Sequence, residues 1–221
     1  MNFYTFYTPS HKGLYRDFFL PYFPLKDFDL HALEFPQEER SGVYGTKGFN
    51  RTVVKKIELL VDACGNNMGK TIVYGDCDIQ FFENSHLLKE NVIKEISSLD
   101  MIFQQDGRPS STHNLCSGFF AFRCNDLVLN FLNHVLARVP KYKEDQFVIN
   151  SQIKKFPIKH GFFSDKFYTH ARDNQWENWD GIRPLNIKTN LKDILVHHAN
   201  WTLGVDNKIK LLNFIKNARE E

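Results

Sequence analysis

The sequence predicts an α/β fold in which a mostly parallel, doubly wound central sheet is flanked by helices. Three observations lead to this prediction. Short runs of β-forming residues alternate along the chain with stretches whose apolar residues recur at helical spacing. The chain has 221 residues, which suits one α/β domain better than two independent ones. It contains no internal repeat, low-complexity tract or linker, so we expect a single domain over residues 1–221.

The chain begins with a predicted β-α-β unit. Residues 2–8 are rich in β-formers and end at Pro9-Ser10, which predicts a buried strand followed by a loop. Residues 14–23 form a short amphipathic segment, and residues 28–35 can form a second strand before the next proline. The loop after the first strand then lies at the ligand-binding edge of the sheet.

The later elements continue this alternation. Apolar spacing and β-former content predict helices over residues 51–64, 87–99, 126–138, 145–155 and 206–219, and strands over residues 71–75, 101–105, 117–122 and 194–198. Glycine, proline and serine mark loops at residues 41–50 and 107–112. Residues 164–192 read as one long polar-aromatic loop, and a loop of that length usually carries function.

Composition excludes several classes of partner. Lys and Arg number 28 against 26 Asp and Glu, and the formal charge of +2 gives no strong field toward nucleic acid or anionic lipid. No stretch approaches about 18 consecutive apolar residues, and the N-terminus lacks a secretory signal, so we expect a cytoplasmic protein without a membrane span. The cysteines form no CxxC pair, which favours reduced core thiols over disulfides or structural zinc.

Two Asp-X-Asp segments occur, little more than chance allows. Asp27-Phe28-Asp29 precedes a predicted strand, where a solvated loop is the better interpretation. Asp76-Cys77-Asp78 directly follows the predicted strand at residues 71–75, so both carboxylates reach the carboxyl edge of the sheet. Carboxylates two residues apart can bind one hard divalent cation and leave coordination positions for diphosphate oxygens. The alternative is a strand-end acidic cap that keeps the edge soluble.

Residues 73–82, Val-Tyr-Gly-Asp-Cys-Asp-Ile-Gln-Phe-Phe, resemble the strand, D-x-D and hydrophobic-pair signature of GT-A nucleotide-diphospho-sugar transferases. The resemblance implies a Rossmann-like GT-A domain in which Asp76 and Asp78 hold Mn²⁺ or Mg²⁺ and Asp76 also meets the donor. Residues 114–123 are similar to the family's N-x-G-hydrophobic strand. That similarity implies that Ser117 and Gly118 adjoin the donor sugar.

Residues 197–208, HHANWTLGVDNK, look like the family's C-terminal H-x-N-(x)-G-x-x-x-K element, the most specific match in the chain. This match implies that His198 completes the metal shell, and that Asn200, Gly204 and Lys208 contact the donor and its diphosphate. Imidazole suits Mn²⁺, glycine lets backbone N–H groups approach phosphate, and lysine adds a positive charge. His197 is expected to be structural, because adjacent strand residues face opposite sides.

Asp145-Gln146, at the start of a predicted helix, is similar to the DQ element of retaining families. The similarity implies that both side chains lie near the anomeric carbon and act in catalysis. A retaining reaction needs no strong general base if the leaving phosphate takes the acceptor's proton. An inverting reaction would need a carboxylate base, for which Asp173 and Asp180 in the long loop are the alternatives.

The GT-A resemblance also implies which residues bind the nucleoside part of the donor. It places Thr8, Pro9 and Ser10, in the loop after the first strand, at the base and ribose, although an ordinary turn is an equal interpretation. Related families also carry a donor-contacting lysine on the helix before the acidic strand. Lys55 is the candidate here, with Lys56 beside it, and solvated surface is the alternative for both.

The resemblance implies a metal-dependent glycosyltransferase that moves a sugar from a UDP-sugar to a glycan or protein-linked acceptor, with retention. Residues 1–123 would bind nucleotide sugar and metal, and residues 124–221 would face the acceptor. The chain also resembles domains of large DNA viruses that glycosylate their own capsids, which would act in the host cytoplasm. One alternative is a noncatalytic nucleotide-sugar-binding domain. Another is a Mg²⁺-dependent phosphatase, although Gln80 stands where that family has Thr or Val.

Overall fold

A computed structural model describes residues 1–38, 46–107, 114–174 and 178–220. Within these ranges the strands are β1 Asn2–Tyr7, β2 Asp29–Glu34, β3 Thr71–Gly75, β4 Ile79–Phe81, β5 Met101–Gln105, β6 Leu115–Arg123, β7 His160–Phe162, β8 Phe167–Thr169 and β9 Val196–His198. The α-helices are α1 Lys12–Leu14, α2 Lys47–Gly65, α3 Leu88–Ile96, α4 Asp126–Leu136, α5 Val139–Tyr142, α6 Asp145–Gln152, α7 His170–Asn174 and α8 Val205–Glu220. A π-helical turn at Tyr15–Phe19 continues α1.

The main sheet has six strands in the order β2-β1-β3-β6-β5-β7. β6 is antiparallel to both of its neighbours, and the other pairings are parallel. This confirms the predicted α/β fold with a mostly parallel sheet. β3 lies inside the sheet between β1 and β6, so the residues that follow Gly75 emerge at the middle of the sheet edge, where α/β folds bind ligands.

A second sheet has three strands in the order β4-β9-β8. β4 and β9 are antiparallel, and their register places Ile79 opposite His198. β8 runs parallel to β9. Because β4 begins directly after Asp78, this pairing brings the C-terminal region of the chain back to Asp76-Cys77-Asp78, which we call the acidic segment.

Hydrophobic cores cover both faces of the main sheet. On one face, side chains of α2, α4 and α6 pack on β3, β5 and β6. On the other face, Phe3 is fully buried and makes edge-on contacts with Phe19, Phe23 and Phe28 at centroid distances of 5.0–5.7 Å. Burying one such ring contributes about 2 kcal/mol, so this cluster fixes the N-terminal strand beneath the site.

The start of α2 differs from the prediction. Thr46 is its N-cap, and its Oγ1 accepts a hydrogen bond from the Phe49 N–H at 3.1 Å. Gly48, which we predicted to lie in a loop, is therefore helical, because this cap starts the helix earlier than the apolar periodicity does. Residues 47, 49 and 50 of the predicted loop are helical too, whereas its residues 41–45, and residues 108–112 of the second predicted loop, lie outside the described residues.

The predicted long loop at residues 164–192 is wrong in part, because β8 and α7 lie within it. Tyr168 and His170 are fully buried there. A three-residue strand is too short to show an alternating pattern, and a buried histidine hides the apolar signal. β4 and β7 were missed for the same reason of length.

The four cysteines are buried and free. Cys77 lies between the two aspartates of the acidic segment, and burial raises the pKa of its thiol well above the usual range. Within the described ranges, no helix combines the length and apolar character that a membrane crossing requires.

Candidate active site

Asp76 follows β3 and is fixed by three neighbours. Its backbone N–H donates to the Gly118 carbonyl of β6 at 2.7 Å, which extends the sheet pairing beyond the strand. Its Oδ1 accepts from the Tyr74 hydroxyl at 2.5 Å and lies 3.2 Å from the Lys56 ammonium. These contacts orient the carboxylate and leave its Oδ2 on the side of Gly118 and His198.

Asp78 is buried and lies between two basic side chains. Its Oδ1 is 3.2 Å from His198 Nε2, and its Oδ2 pairs with Lys208 Nζ. The Ala199 N–H donates to the Asp78 carbonyl at 3.0 Å, so the segment after β9 is held against the acidic segment. Burial raises the pKa of Asp78, but attraction to Lys208 and His198 outweighs it and holds the pKa well below the usual range.

The hydrogen-bond network fixes the tautomer of His198. Gln104 donates its amide N–H to the Tyr168 carbonyl at 2.8 Å, so its Oε1 is left to accept from His198 Nδ1 at 3.2 Å. Nε2 of His198 then faces Asp78 Oδ1 and is the nitrogen that would bind a metal ion held between the two side chains. His197 points to the other side, where its Nδ1 lies 3.1 Å from Gln80 Nε2.

Asp76, Asp78 and His198 each present a ligand atom within 4.8 Å of the other two. Gly118 makes this convergence feasible. A Cβ at position 118 would lie 2.2 Å from His198 Cε1 and 2.7 Å from Asp76 Oδ2, closer than real contacts allow. Two carboxylates and an imidazole form a donor set that suits Mn²⁺, so the residues present fit a divalent cation.

Lys56 is buried beneath the acidic segment and joins it to α6. Its ammonium lies 3.2 Å from Asp76 Oδ1 and 2.9 Å from Asp145 Oδ2, and 4.9 Å from the centroid of the Tyr74 ring. Burial lowers the pKa of Lys56, but attraction to Asp145 and Asp76 outweighs it and raises the pKa above the usual value. Lys56 therefore stays charged and bridges the predicted metal and catalytic residues.

Asp106 follows β5 and is 2 % exposed. Its Oδ1 accepts from Asn200 Nδ2 at 2.5 Å, and its Oδ2 accepts from Trp201 Nε1 at 2.6 Å and from Gln146 Nε2 at 2.8 Å. Burial raises the pKa of Asp106 to about 6, against the opposing effect of these hydrogen bonds. Gln146 in turn accepts from the Ser117 N–H at 3.2 Å, so its amide is held at both ends.

These groups line a single cleft of about 410 Å³ at the carboxyl edge of the main sheet. Ten of the residues singled out in the sequence lie on its wall: Thr8, Asp76, Asp78, Ser117, Gly118, Asp145, Gln146, His198, Asn200 and Lys208. The structure thus brings most of the predicted site residues together. Their individual roles stay predictions.

Four predicted residues are not among the described residues on the cleft wall. Pro9 and Ser10 turn away in a short 3₁₀ segment, where the Ser10 N–H donates to Gln37 Oε1 at 2.8 Å. Lys55 pairs with Glu38 at 2.9 Å. Gly204 precedes α8 with a φ of +79°, a left-handed conformation that suits glycine.

The two carboxylates considered for an inverting reaction also lie off the described cleft wall. Asp173 accepts from the Tyr168 hydroxyl at 3.1 Å and from the Lys188 N–H at 2.9 Å. Asp180 accepts from the backbone N–H groups of Ile182 and Arg183, each at 3.0 Å. Both aspartates stabilise loop structure.

Among the cleft residues that were not predicted as site residues are Asp106, Lys56 and His11. Asp106 directly follows a predicted strand, which is the same signal that singled out Asp76, so the sequence did contain evidence for it. Lys56 was weighed together with Lys55, and helical phase favours Lys56, because it lies nearer than Lys55 to the apolar side formed by Val53, Ile57 and Leu60. His11, whose Nδ1 lies 3.0 Å from Thr8 Oγ1 and 2.9 Å from Ser10 Oγ, had no distinguishing pattern.

Solved glycosyltransferases share this fold. The crystal structure of a glycosyltransferase involved in the glycosylation of the major capsid of PBCV-1 superposes with a TM-score of 0.63 at 9% identity, over 96% of this chain and 98% of that one. The apo form of mouse xyloside xylosyltransferase 1 gives 0.54 at 10% identity, over 90% and 98%. These likenesses show the GT-A fold.

Sequence comparison identifies a protein family, although it finds no individual curated relative. No curated protein matches the sequence. Residues 25–212 match the nucleotide-diphospho-sugar transferase family, a stretch that contains β3, the acidic segment, Asp106 and the segment through Lys208. The chain therefore belongs to the nucleotide-diphospho-sugar transferase family, and it is a glycosyltransferase that uses a nucleotide-sugar donor and a glycoconjugate acceptor.

Proposed function

We propose that the chain is a Mn²⁺- or Mg²⁺-dependent glycosyltransferase that transfers a sugar from a UDP-sugar to a glycan or protein-linked acceptor with retention of configuration. One observation carries the proposal. Asp76, Asp78 and His198 converge around a glycine, Gly118, that admits no side chain. Such a donor set in a nucleotide-sugar enzyme supports a metal bound at the diphosphate.

The charge of the cleft supports metal dependence independently. The carboxylates on its wall outnumber the lysines; they are Asp76, Asp78, Asp106, Glu144 and Asp145 against Lys56 and Lys208. A diphosphate is strongly anionic and would be repelled by this surplus. A divalent cation between Asp76, Asp78 and His198 would offset two of these three excess negative charges and stabilise charge on the leaving diphosphate.

Residues of the C-terminal segment are placed to bind the diphosphate. Lys208 lies in the first turns of α8, next to Asp78, and its Nζ also donates to the Ala199 carbonyl at 3.2 Å. The N-terminus of α8 adds partial positive charge at the same place. Thr8 and His11, which also lie on the cleft wall, are candidates for contact with the nucleoside.

Retention is supported by which of the candidate catalytic side chains lie on the cleft wall. Asp145 and Gln146 lie there, at the start of α6, whereas Asp173 and Asp180 do not. In the retaining reaction the acceptor hydroxyl attacks from the face of the leaving group, the anomeric C–O bond breaks, and a phosphate oxygen takes the proton. Asp145, already paired with Lys56 at 2.9 Å, would stabilise positive charge on the anomeric carbon.

We also propose that residues 1–221 work as one domain. The two halves of the chain share the site, because Asp76 and Asp78 come from the first half and His198 and Lys208 from the second. Neither half contains a complete donor set. Separated halves should therefore not bind nucleotide.

The proposal is tested by calorimetry of UDP binding with Mn²⁺, with Mg²⁺ and with EDTA, followed by a hydrolysis assay over a panel of nucleotide sugars. We expect UDP to bind only with the metal, and one UDP-sugar to be hydrolysed slowly without acceptor. UDP binding equally well in EDTA would contradict metal dependence. Metal-dependent binding without turnover of any donor, alone or with glycan acceptors, would indicate a noncatalytic binding domain.

A further inference from the structure

We propose that Asp106 is a positioning residue that sets the geometry of the sugar end of the cleft by holding Gln146, Asn200 and Trp201 on one carboxylate. The three donors come from different parts of the chain: Gln146 from the start of α6, and the other two from the segment after β9. The effect on turnover rests on the proposed function. The effect on geometry does not.

Asp106 has the environment of an organising group rather than of a reacting one. It is 2 % exposed, and both of its carboxylate oxygens already accept hydrogen bonds of 2.5–2.8 Å. A carboxylate that is saturated by N–H donors is poorly placed to act as a base or nucleophile. It is well placed to fix the groups that donate to it, because charge-assisted hydrogen bonds are about twice as strong as neutral ones.

The three partners need such an anchor. Trp201 has a φ of +47°, in the left-handed region, which costs a non-glycine residue about 1 kcal/mol. Its indole N–H and the Gln146 amide share Asp106 Oδ2, so the ring is held next to a predicted catalytic residue. Gln146 also accepts from the Ser117 N–H, and Ser117 is a predicted neighbour of the donor sugar. Moving Asp106 would therefore release the wall around the reacting carbon.

The charge of Asp106 can be separated from its shape by two substitutions. Asp106→Asn keeps one oxygen for Trp201 and Gln146 and turns an N–H toward Asn200. Asn200 Oδ1 is buried and has no hydrogen-bond partner within the described chain, so it can accept that N–H after its amide rotates. Asp106→Leu keeps the number of side-chain heavy atoms, is bulkier, and accepts nothing, which removes the acceptor that the three donors share.

The experiment combines kinetics, nucleotide binding and NMR of the indole N–H groups. We expect Asp106→Leu to lower kcat for nucleotide-sugar hydrolysis by about 100-fold, because the catalytic groups are misplaced, while metal-dependent UDP affinity falls by at most about tenfold, since Asn200 is the one predicted diphosphate contact among the three held residues. Asp106→Asn should recover kcat to within about tenfold of wild type. The Trp201 indole resonance should shift in Asp106→Leu and return toward wild type in Asp106→Asn. The Trp179 indole, which donates to the Arg183 carbonyl at 2.8 Å, should shift less than that of Trp201, because Trp179 meets the Trp201 segment only through the backbone, where its N–H donates to the Trp201 carbonyl at 2.7 Å.

Several outcomes would overturn the proposal. They are an unchanged kcat in Asp106→Leu, a loss of UDP affinity parallel to the loss of kcat, or a Trp201 resonance that stays in place. If Asp106→Leu does not fold, Trp201→Phe and Gln146→Leu, each removing one donor, must lower kcat without lowering UDP affinity. If the wild type neither binds UDP nor hydrolyses a donor, the proposed function fails, and the indole resonances alone decide the role of Asp106.

Discussion

The two Asp-X-Asp segments of this chain have the same pattern and opposite surroundings. Asp27-Phe28-Asp29 leads into β2, an edge strand, and the Asp29 side chain is 76% exposed beside His31. Asp76-Cys77-Asp78 follows β3 inside the sheet, and the Asp78 side chain is 8% exposed between His198 and Lys208. The same Asp-X-Asp pattern thus forms a solvated surface in one place and a candidate metal site in the other.

The difference lies in what the rest of the chain brings to each segment. The second segment gains a histidine and a lysine from beyond residue 190, a buried lysine from α2, and a glycine on β6 that leaves room for ligand atoms. The first gains a histidine two residues away, at 3.7 Å, and the N-terminal ammonium of Met1, which donates to the Asp27 carbonyl at 3.2 Å. A motif of this kind acquires chemistry from the strand end it occupies.

The largest expected effect comes from matched alanine substitutions in the two segments. Asp78→Ala should weaken Mn²⁺-dependent UDP binding at least about 100-fold, because it removes a metal ligand and leaves Lys208 unpaired. Asp29→Ala should leave the affinity unchanged. Calorimetry with both variants makes the test, and equal affinities in the two would show that the second segment holds no metal.

The next effect concerns the space that Gly118 leaves beside the second segment, a feature that the first segment lacks. Gly118→Ala would press a methyl group against His198 and Asp76, so we expect metal-dependent UDP affinity to fall about 30-fold. Gly65→Ala is the matched control, since a Cβ there meets nothing within 4 Å. Manganese titration followed by electron paramagnetic resonance would measure the site directly. Tight manganese binding by Gly118→Ala would rule out such close packing around position 118.

A smaller effect is expected from the lysine that only the second segment possesses. Lys208→Ala should weaken UDP binding about tenfold and uridine binding hardly at all, because the ammonium acts on phosphate. Lys210→Ala, which removes an exposed ammonium 3.5 Å from Asn207, is the control. Equal losses for UDP and uridine would mean that Lys208 supports the fold of the site and does not bind the diphosphate.

The smallest effect is on stability without metal, and it depends on pH. A carboxyl group whose pKa is lower in the folded than in the unfolded chain stabilises the fold above the unfolded pKa, and this contribution is lost as the pH falls. Asp78 is such a group. At pH 6 in EDTA, Asp78→Asn should unfold with about 1 kcal/mol less free energy than wild type, and the gap should narrow below about pH 4.

Urea denaturation at both pH values makes this measurement. Asp29→Asn should match wild type at each pH, because its carboxylate is mostly solvated. If the gap for Asp78→Asn instead widens as the pH falls, the Asp78 carboxylate does not stabilise the folded chain.

Much of the fold followed from the sequence, because the long elements carry strong patterns. β1, β3 and α8 lie within a residue or two of their predicted bounds. The three-residue strands β4, β7 and β8 were missed, since they exist only through pairing with distant strands. Their stability comes from tertiary contacts, which local propensity does not record.

Site residues that belong to motifs at strand ends were predicted correctly as neighbours. Site residues whose position depends on packing between distant parts of the chain were predicted less well. Asp78, His198 and Lys208 meet as the family resemblance implied. The choice between Lys55 and Lys56 could have been made from helical phase, which puts Lys56 nearer the apolar side of α2, and the structure shows Lys56 to be buried. Asp106 required the three partners that converge on it, and these come from residues 40 to 95 positions away.

The pairing of β4 with β9 has a consequence for the order of folding. His198 follows Asp78 by 120 positions (198 − 78), so most of the polypeptide must be in place before the cation ligands meet. Partly synthesised or partly folded chains therefore lack the site and leave metal and nucleotide unbound. Binding of metal and nucleotide therefore indicates that the chain has completed its folding. By mass action, a bound nucleotide also stabilises the entire tertiary structure.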